Sequence, residues 1–139
     1  MKKIFACLLI GVMMLGLTAC SGEGAGTTDK DVDLAALFEQ IQSEVELPML
    51  TPVDDETLTT IYGINPEDVE AYAGGFSMMN VQAADIIMVK AKDDTVEAVR
   101  SGLEGRIEQQ KKSFENYLAD QYEAASSAEV EQYGNYLVL

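Results

Sequence analysis

Residues 85–92, Asp85-Ile86-Ile87-Met88-Val89-Lys90-Ala91-Lys92, decide the fold. A strand with one wet face alternates apolar and polar residues, whereas Ile86 to Val89 form an unbroken apolar run. Both faces of this segment are therefore expected to be buried, which makes it a central strand covered on two sides. Just before it, FSMMNVQ (76–82) is a second strand candidate. Just after it, Asp94 with Glu97 forms a capping-box-like start to the longest helix. The apolar stripe of that helix runs Val96, Val99, Leu103, Ile107, Phe114 and Leu118, with Tyr117 and Tyr122 near its end. Gly102 and Gly105 within it read as close packing or a bend, and Glu108 can pair with Lys112 at i, i+4.

Towards the C-terminus, Gly134-Asn135 separates two strand-like runs, a two-residue hairpin signal. Glu129 and Glu131 project from one face of the first run, as on an exposed edge strand. Towards the N-terminus, Leu34, Leu37, Phe38, Ile41 and Val45 follow helical spacing from Asp33, and Pro48 and Pro52 bound an extended connection. Asp54-Asp55-Glu56 offer carboxylates to the free amides of a short helix through Leu58, Ile61 and Tyr62, with Gly63 at its C-terminal turn. Asn65 as cap, Pro66 at the first helical position and an Ile64–Val69 staple predict a third short helix, 66–73, stopped by Gly74-Gly75. The expected class is α+β: short N-terminal helices, a mostly antiparallel four-stranded sheet, and one long helix packed on the sheet.

The chain opens with Met1-Lys2-Lys3, an apolar run from Ile4 to Leu17, and the small residues Thr18 and Ala19 before Cys20. That is the layout of a secretory signal, and the run is shorter than the ~20 residues a membrane-spanning helix needs. Leu17-Thr18-Ala19-Cys20 also resembles the bacterial lipobox, whose cysteine is lipidated and becomes the new N-terminus. Residues 1–19 are thus expected to be a signal peptide. Residues 20–30 would be a lipid anchor and Gly-rich tether with a reach of about 17 Å, and 31–139 a single domain. Cys7 would leave with the signal and Cys20 would carry lipid, which excludes a disulfide within the mature chain. With 24 acidic against 9 basic residues, the surface repels nucleic acid and anionic headgroups.

The chemistry open to the chain is narrow. It has no histidine, so Ser-His-Asp and Cys-His arrangements and imidazole zinc sites are excluded. Gly22-Glu23-Gly24 lacks the strand and third glycine of a phosphate-binding loop. Asp29, Asp31 and Asp33 alternate as in a calcium loop, but Leu34 stands where glycine is needed and Gln40 where a bidentate glutamate belongs. Asp54, Asp55 and Glu56 are explained by helix capping. Met78-Met79 could suggest copper, yet adjacent strand residues face opposite ways and no further Met or His lies at ligand spacing, so core packing is expected. Six tyrosines with no tryptophan argue against a carbohydrate-stacking platform. Tyr133 and Tyr136, flanking the hairpin turn, are the candidate surface contacts. No catalytic residue, metal or cofactor is expected.

Leu47-Pro48-Met49, Tyr62-Gly63-Ile64, Pro66-Glu67-Asp68-Val69, Met78-Met79-Asn80-Val81, Lys90-Ala91-Lys92 and Asp120-Gln121-Tyr122 together resemble a lipoprotein family of Gram-positive bacteria defined by a domain of unknown function, number 4358. The similarity covers roughly Leu47 to Leu139, with Ala119 where a helix-interrupting proline is expected. The resemblance implies an extracytoplasmic lipoprotein with no assigned activity and no catalytic residues to carry over. The expected function is a non-enzymatic binding or accessory module on the outer face of the cell membrane. Its partners are expected to be the membrane, through the N-terminal lipid, and a cell-envelope protein or polymer, with no nucleic acid. The competing expectations are an enzyme or subunit of envelope-polymer modification that uses carboxylates, and a small ligand receptor.

Overall fold

The 85–92 segment forms the middle strand of a five-stranded antiparallel sheet in the computed structural model, which describes residues 31–139. The elements are α1 (Leu34–Glu44), β1 (Thr51–Pro52), α2 (Asp55–Tyr62), a 3-10 turn (Pro66–Asp68), β2 (Val69–Phe76), β3 (Asp85–Ala91), α3 (Val96–Phe114), α4 (Ala119–Ser127), β4 (Glu131–Tyr133) and β5 (Tyr136–Val138). Strand order is β1-β2-β3-β5-β4, so the unbroken apolar strand is central and β4, carrying Glu131, lies on the edge. The expected signal peptide, the expected tether and Cys20 fall outside the described residues.

Helices cover both faces of β3. On one, Ile87, Val89 and Ala91 are fully buried against Leu58 and Tyr62 of α2 and Val99 and Leu103 of α3. On the other, Met88 packs with Leu34 and Phe38 of α1. Each fully buried Leu, Ile or Val contributes about 1.5–3 kcal/mol relative to exposure, so β3 anchors the domain from both sides. The α+β class and the long helix on the sheet are as expected, with α1 adding a layer on the opposite face.

Local cap chemistry reads true. Asp33 caps α1 by accepting from the Ala36 amide at 3.0 Å. Asp54 accepts from the Thr57 amide at 2.8 Å while its own amide donates to Thr57 Oγ1 at 2.8 Å. Asn65 accepts from the Glu67 amide at 3.0 Å, with Pro66 at the first helical position. The hairpin turns on Gly134, whose φ of 61° is a left-handed value that suits glycine.

Several expectations need correction. The expected helix at 66–73 is a single 3-10 turn, and β2 begins at Val69. Its pairing with β3 from Val69↔Ala91 to Phe76↔Asp85 outweighs the weak local tendency of AYAGGF to be helical. Gly74-Gly75 does not stop a helix but admits close neighbours. A Cβ on Gly74 would meet the Ile86 carbonyl oxygen and lie 2.7 Å from Ile87 Cα, and one on Gly75 would lie 2.9 Å from Leu50 Cβ. With the strand displaced to 69–76, residues 77–84 become the connection to β3. Met78 and Met79 are 75% and 53% exposed there, not packed in the core.

The sheet also gains a fifth strand, because Thr51 and Pro52 of the extended connection pair with Phe76 and Gly75. The long helix stops at Phe114. Leu118 is extended at φ −133° and ψ 102°, and α4 restarts at Ala119 without any proline. A helix of 19 residues already spans about 28 Å against about 23 Å for the 7 residues of β3. The break lets α4 turn back onto α3 and bury Ala125. Asp94 and Glu97 do not form their box, since Thr95 occupies the cap position with its hydroxyl donating to the Asp68 carbonyl at 2.5 Å. Glu108 pairs with Lys111 instead of Lys112, at 2.6 Å.

The two glycines of α3 separate by environment. A Cβ on Gly102 would lie 2.6 Å from both Ile64 Cγ1 and the Tyr62 carbonyl oxygen, whereas one on Gly105 meets nothing within 4 Å. Gly102→Ala is expected to lose about 1–3 kcal/mol through overpacking. Gly105→Ala should gain up to about 1 kcal/mol from helix propensity. Urea unfolding midpoints of the two variants are expected to move in opposite directions.

Candidate functional site

Asp85, the first residue of β3, is the charged group that this architecture buries. Its place opposite Phe76 at the end of the β2–β3 ladder turns its side chain towards α3, where it is 5% exposed. Arg106 and Gln110 lie one turn apart on α3 and therefore reach the same point. Arg106 donates from Nε to Asp85 Oδ2 at 2.7 Å and from Nη2 to Oδ1 at 3.3 Å. Gln110 Nε2 donates to Oδ1 at 2.9 Å and Tyr62 Oη to Oδ2 at 3.3 Å. The guanidinium also sits 6.0 Å from the centre of the Tyr62 ring, and its Nη1 donates to Gln109 Oε1 at 2.9 Å. Burial, then the Asp85 charge, pushes the Tyr62 phenol well above its ordinary value, with Arg106 opposing. It stays a neutral donor.

Beside this cluster lies a recess of about 190 Å³ between the start of β3, α3, α4 and the end of β5. Asp85, Gln110 and Ile107 line it together with five alanines, 83, 84, 124, 125 and 128, whose small side chains leave the space open. Such a volume is large enough for a small side chain or a few ligand atoms. Chemically the site offers a neutralised ion pair and an amide at the wall of a small hollow. Among the described residues, no group of three or more His, Cys, Asp or Glu could hold a metal ion.

A second polar cluster fastens the N-terminal end of the domain. Lys90 Nζ, on the α1 face of β3, pairs with Asp31 at 2.5 Å and Glu70 at 2.6 Å and lies 5.9 Å from the Tyr136 ring centre. The Val32 amide donates to Tyr136 Oη at 3.1 Å. Hydrogen bonds to Asp31 and Glu70 hold the Lys90 ammonium well above its usual range.

Of the sequence candidates, Tyr133 is 65% exposed on the edge strand, its hydroxyl donating to Glu131. Tyr136 is its cross-strand neighbour but is half-buried, its ring held between Lys90 and the segment before α1. The two flank the turn as expected but do not join the Asp85 cluster. Cys20 lies outside the described residues. Sequence reasoning missed Asp85, Arg106, Gln110 and Tyr62 as a group. The available signals were an acid immediately before an unbroken apolar run and two polar residues at i, i+4 on the long helix.

The fold and its buried ion pair define a small antiparallel α+β domain with helices on both faces of the sheet. The chain belongs to the family described as a domain of unknown function, DUF4358, whose profile matches residues 43–139. That match includes the whole sheet and the Asp85 cluster, while nearly all of α1 precedes it. No curated protein and no solved structure matches the chain.

Removing one member of a buried pair strands the other charge, which typically costs 3–5 kcal/mol, whereas replacing both by apolar groups costs far less. Asp85→Leu alone is expected to cost about 3 kcal/mol, and Asp85→Leu with Arg106→Met to recover most of it, measured by denaturant unfolding. A second test uses Tyr72, whose hydroxyl donates to Asp55 at 2.5 Å. Burial, then that bond and the charges of Asp55 and Asp54, push its phenol up to about 12 from an ordinary 10. Because the folded value is raised, the contribution is fully present below pH 10 and lost as pH rises towards 12. The stability difference between the protein and Tyr72→Phe should therefore shrink between pH 9 and pH 12.

Proposed function

We propose that the chain is an extracytoplasmic lipoprotein, anchored through lipid on Cys20 to the outer face of the cell membrane. Its domain acts there as a non-enzymatic binding or accessory module for a cell-envelope protein or polymer. The observation that carries the reading is the state of Asp85. Its two carboxylate oxygens accept from Arg106, Gln110 and Tyr62, so both are engaged in tying β3 to α2 and α3. Acid–base chemistry by a pair of carboxylates needs two acids whose environments drive their affinities for protons apart. The Asp85 cluster instead pairs one acid with one base.

The exposed surfaces are those of a contact module. Tyr133 on the edge strand and the apolar Met78, Met79 and Val81 of the 77–84 connection stand open to solvent. On the membrane side, the lipobox-like Leu17-Thr18-Ala19-Cys20 and the tether that follows support the anchoring.

The test compares cells expressing the native chain with cells expressing Cys20→Ala. The native chain is expected in the membrane fraction and cleavable by protease added outside intact cells, and the variant in soluble fractions. Equal membrane retention of both would sink lipid anchoring. Proximity labelling from the native domain should mark envelope neighbours that the variant no longer marks.

A further inference from the structure

We propose that Met49, Met78 and Met79 form a thioether site for a soft monovalent cation of the copper(I) class. Four methionines fall in the described residues. Met88 does what a buried methionine ordinarily does, filling the α1 side of the core at 3% exposure. The other three are 90%, 75% and 53% exposed and so gain little from burial.

The sheet brings them to one place. β1 and β2 run antiparallel, with Thr51 opposite Phe76 as the last pair. Met49 lies two residues before Thr51 and Met78 two residues after Phe76, so both leave the ladder at the same end, beyond its last pair. At that last pair the backbones are about 5 Å apart, and three rotatable bonds give each thioether beyond it a long reach. Met79 follows at once, in a connection whose backbone is held on both legs. Ser77 N donates to the Ala84 carbonyl at 2.7 Å, Met79 N to Ser77 Oγ at 3.1 Å, Gln82 N to the Met79 carbonyl at 3.1 Å, and Ala83 N to Gln121 Oε1 at 2.8 Å. These bonds hold the backbone around Met78 and Met79, while the side chains of all three methionines are exposed.

The donor set selects the ion. Neither 47–53 nor 74–84 contains a charged residue, a histidine or a cysteine, in a chain of formal charge −15. Beside the neutral oxygens of Thr51, Ser77, Asn80 and Gln82, the ligands on offer are thioethers, soft donors that favour copper(I) over calcium, magnesium or zinc. The acidic remainder of the surface raises the local concentration of any cation. A thioether has no proton to lose, so occupancy at this site is independent of pH, unlike that of a carboxylate or imidazole site. The sequence-level objection to copper, that the two methionines face opposite ways without a third, fails because they lie in a connection and not in a strand, and because β1 supplies Met49.

The experiment uses the full chain with Cys7→Ser and Cys20→Ser in detergent micelles, labelled at the methionine methyls and titrated with silver(I) as a redox-silent probe. Methyl resonances of Met49, Met78 and Met79 are expected to shift together and saturate at one equivalent, with Met88 unmoved and the same midpoint at pH 5 and pH 7. Each single Met→Leu change should weaken binding at least tenfold, and the triple change should abolish it without altering the unfolding midpoint, since all three side chains are exposed. Absence of a saturable shift, shifts that leave Met49 unmoved, or undiminished binding in the triple variant would each overturn the proposal. The last result would assign the ion to carboxylates and leave the three methionines as an apolar contact surface.

Discussion

Everything in this domain depends on burying one strand from both sides. Ile87 and Val89 cannot face water on one side of β3, nor Met88 on the other, so the chain must supply a layer of helix for each face. α2 and α3 serve one and α1 the other. An antiparallel sheet usually leaves one face wet, and its residues alternate accordingly. Here the alternation is absent from the strand that both layers share, and burial falls off towards the edge, where β4 is exposed along its whole length.

The same constraint explains the glycines and the ion pair. Packing β2 tightly against β3 leaves no room for a side chain at Gly74, and packing α3 against the end of α2 leaves none at Gly102. Asp85 is drawn inward because it begins the central strand on the α3 side. Once there it needs a counter-charge, and α3 provides Arg106 with Gln110 one turn further on. The polar cluster therefore ties β3, α2 and α3 together at the end of the sheet where the alanine-walled recess opens. Lys90, five residues along the same strand, does the corresponding work on the α1 face by holding Asp31 and Glu70.

Membership of the DUF4358 family is consistent with this division of labour. The matched region, 43–139, contains the sheet, α2, α3 and the Asp85 cluster, while the helix covering the second face lies almost wholly ahead of it. The proposed anchoring and contact roles occupy the periphery: a lipid-bearing N-terminus, an exposed edge tyrosine, and the uncharged methionine-bearing end of the sheet. None of these surfaces competes with the packing around β3, so their chemistry can be altered without unfolding the domain.

The sequence by itself determined what rests on neighbouring residues. The two-sided burial of 85–91 is legible in its unbroken apolar pattern and the amphipathic α1 and α3 in theirs, while the caps at Asp54 and Asn65 and the turn at Gly134 follow from contacts within a few positions along the chain. Only the tertiary structure decided the rest. Residues 64–69 carry good local signals for a helix start, yet 69–76 become a strand because pairing with β3 is a long-range interaction that local propensity does not register. That displacement moved Met78 and Met79 from an expected core to the surface, and the pairing of Thr51 with Phe76 brought Met49 to the same end. Arg106, 21 residues beyond Asp85, became its partner through the packing of α3 on the sheet. Charge pairing inside a protein depends on distance in space, and the fold sets that distance.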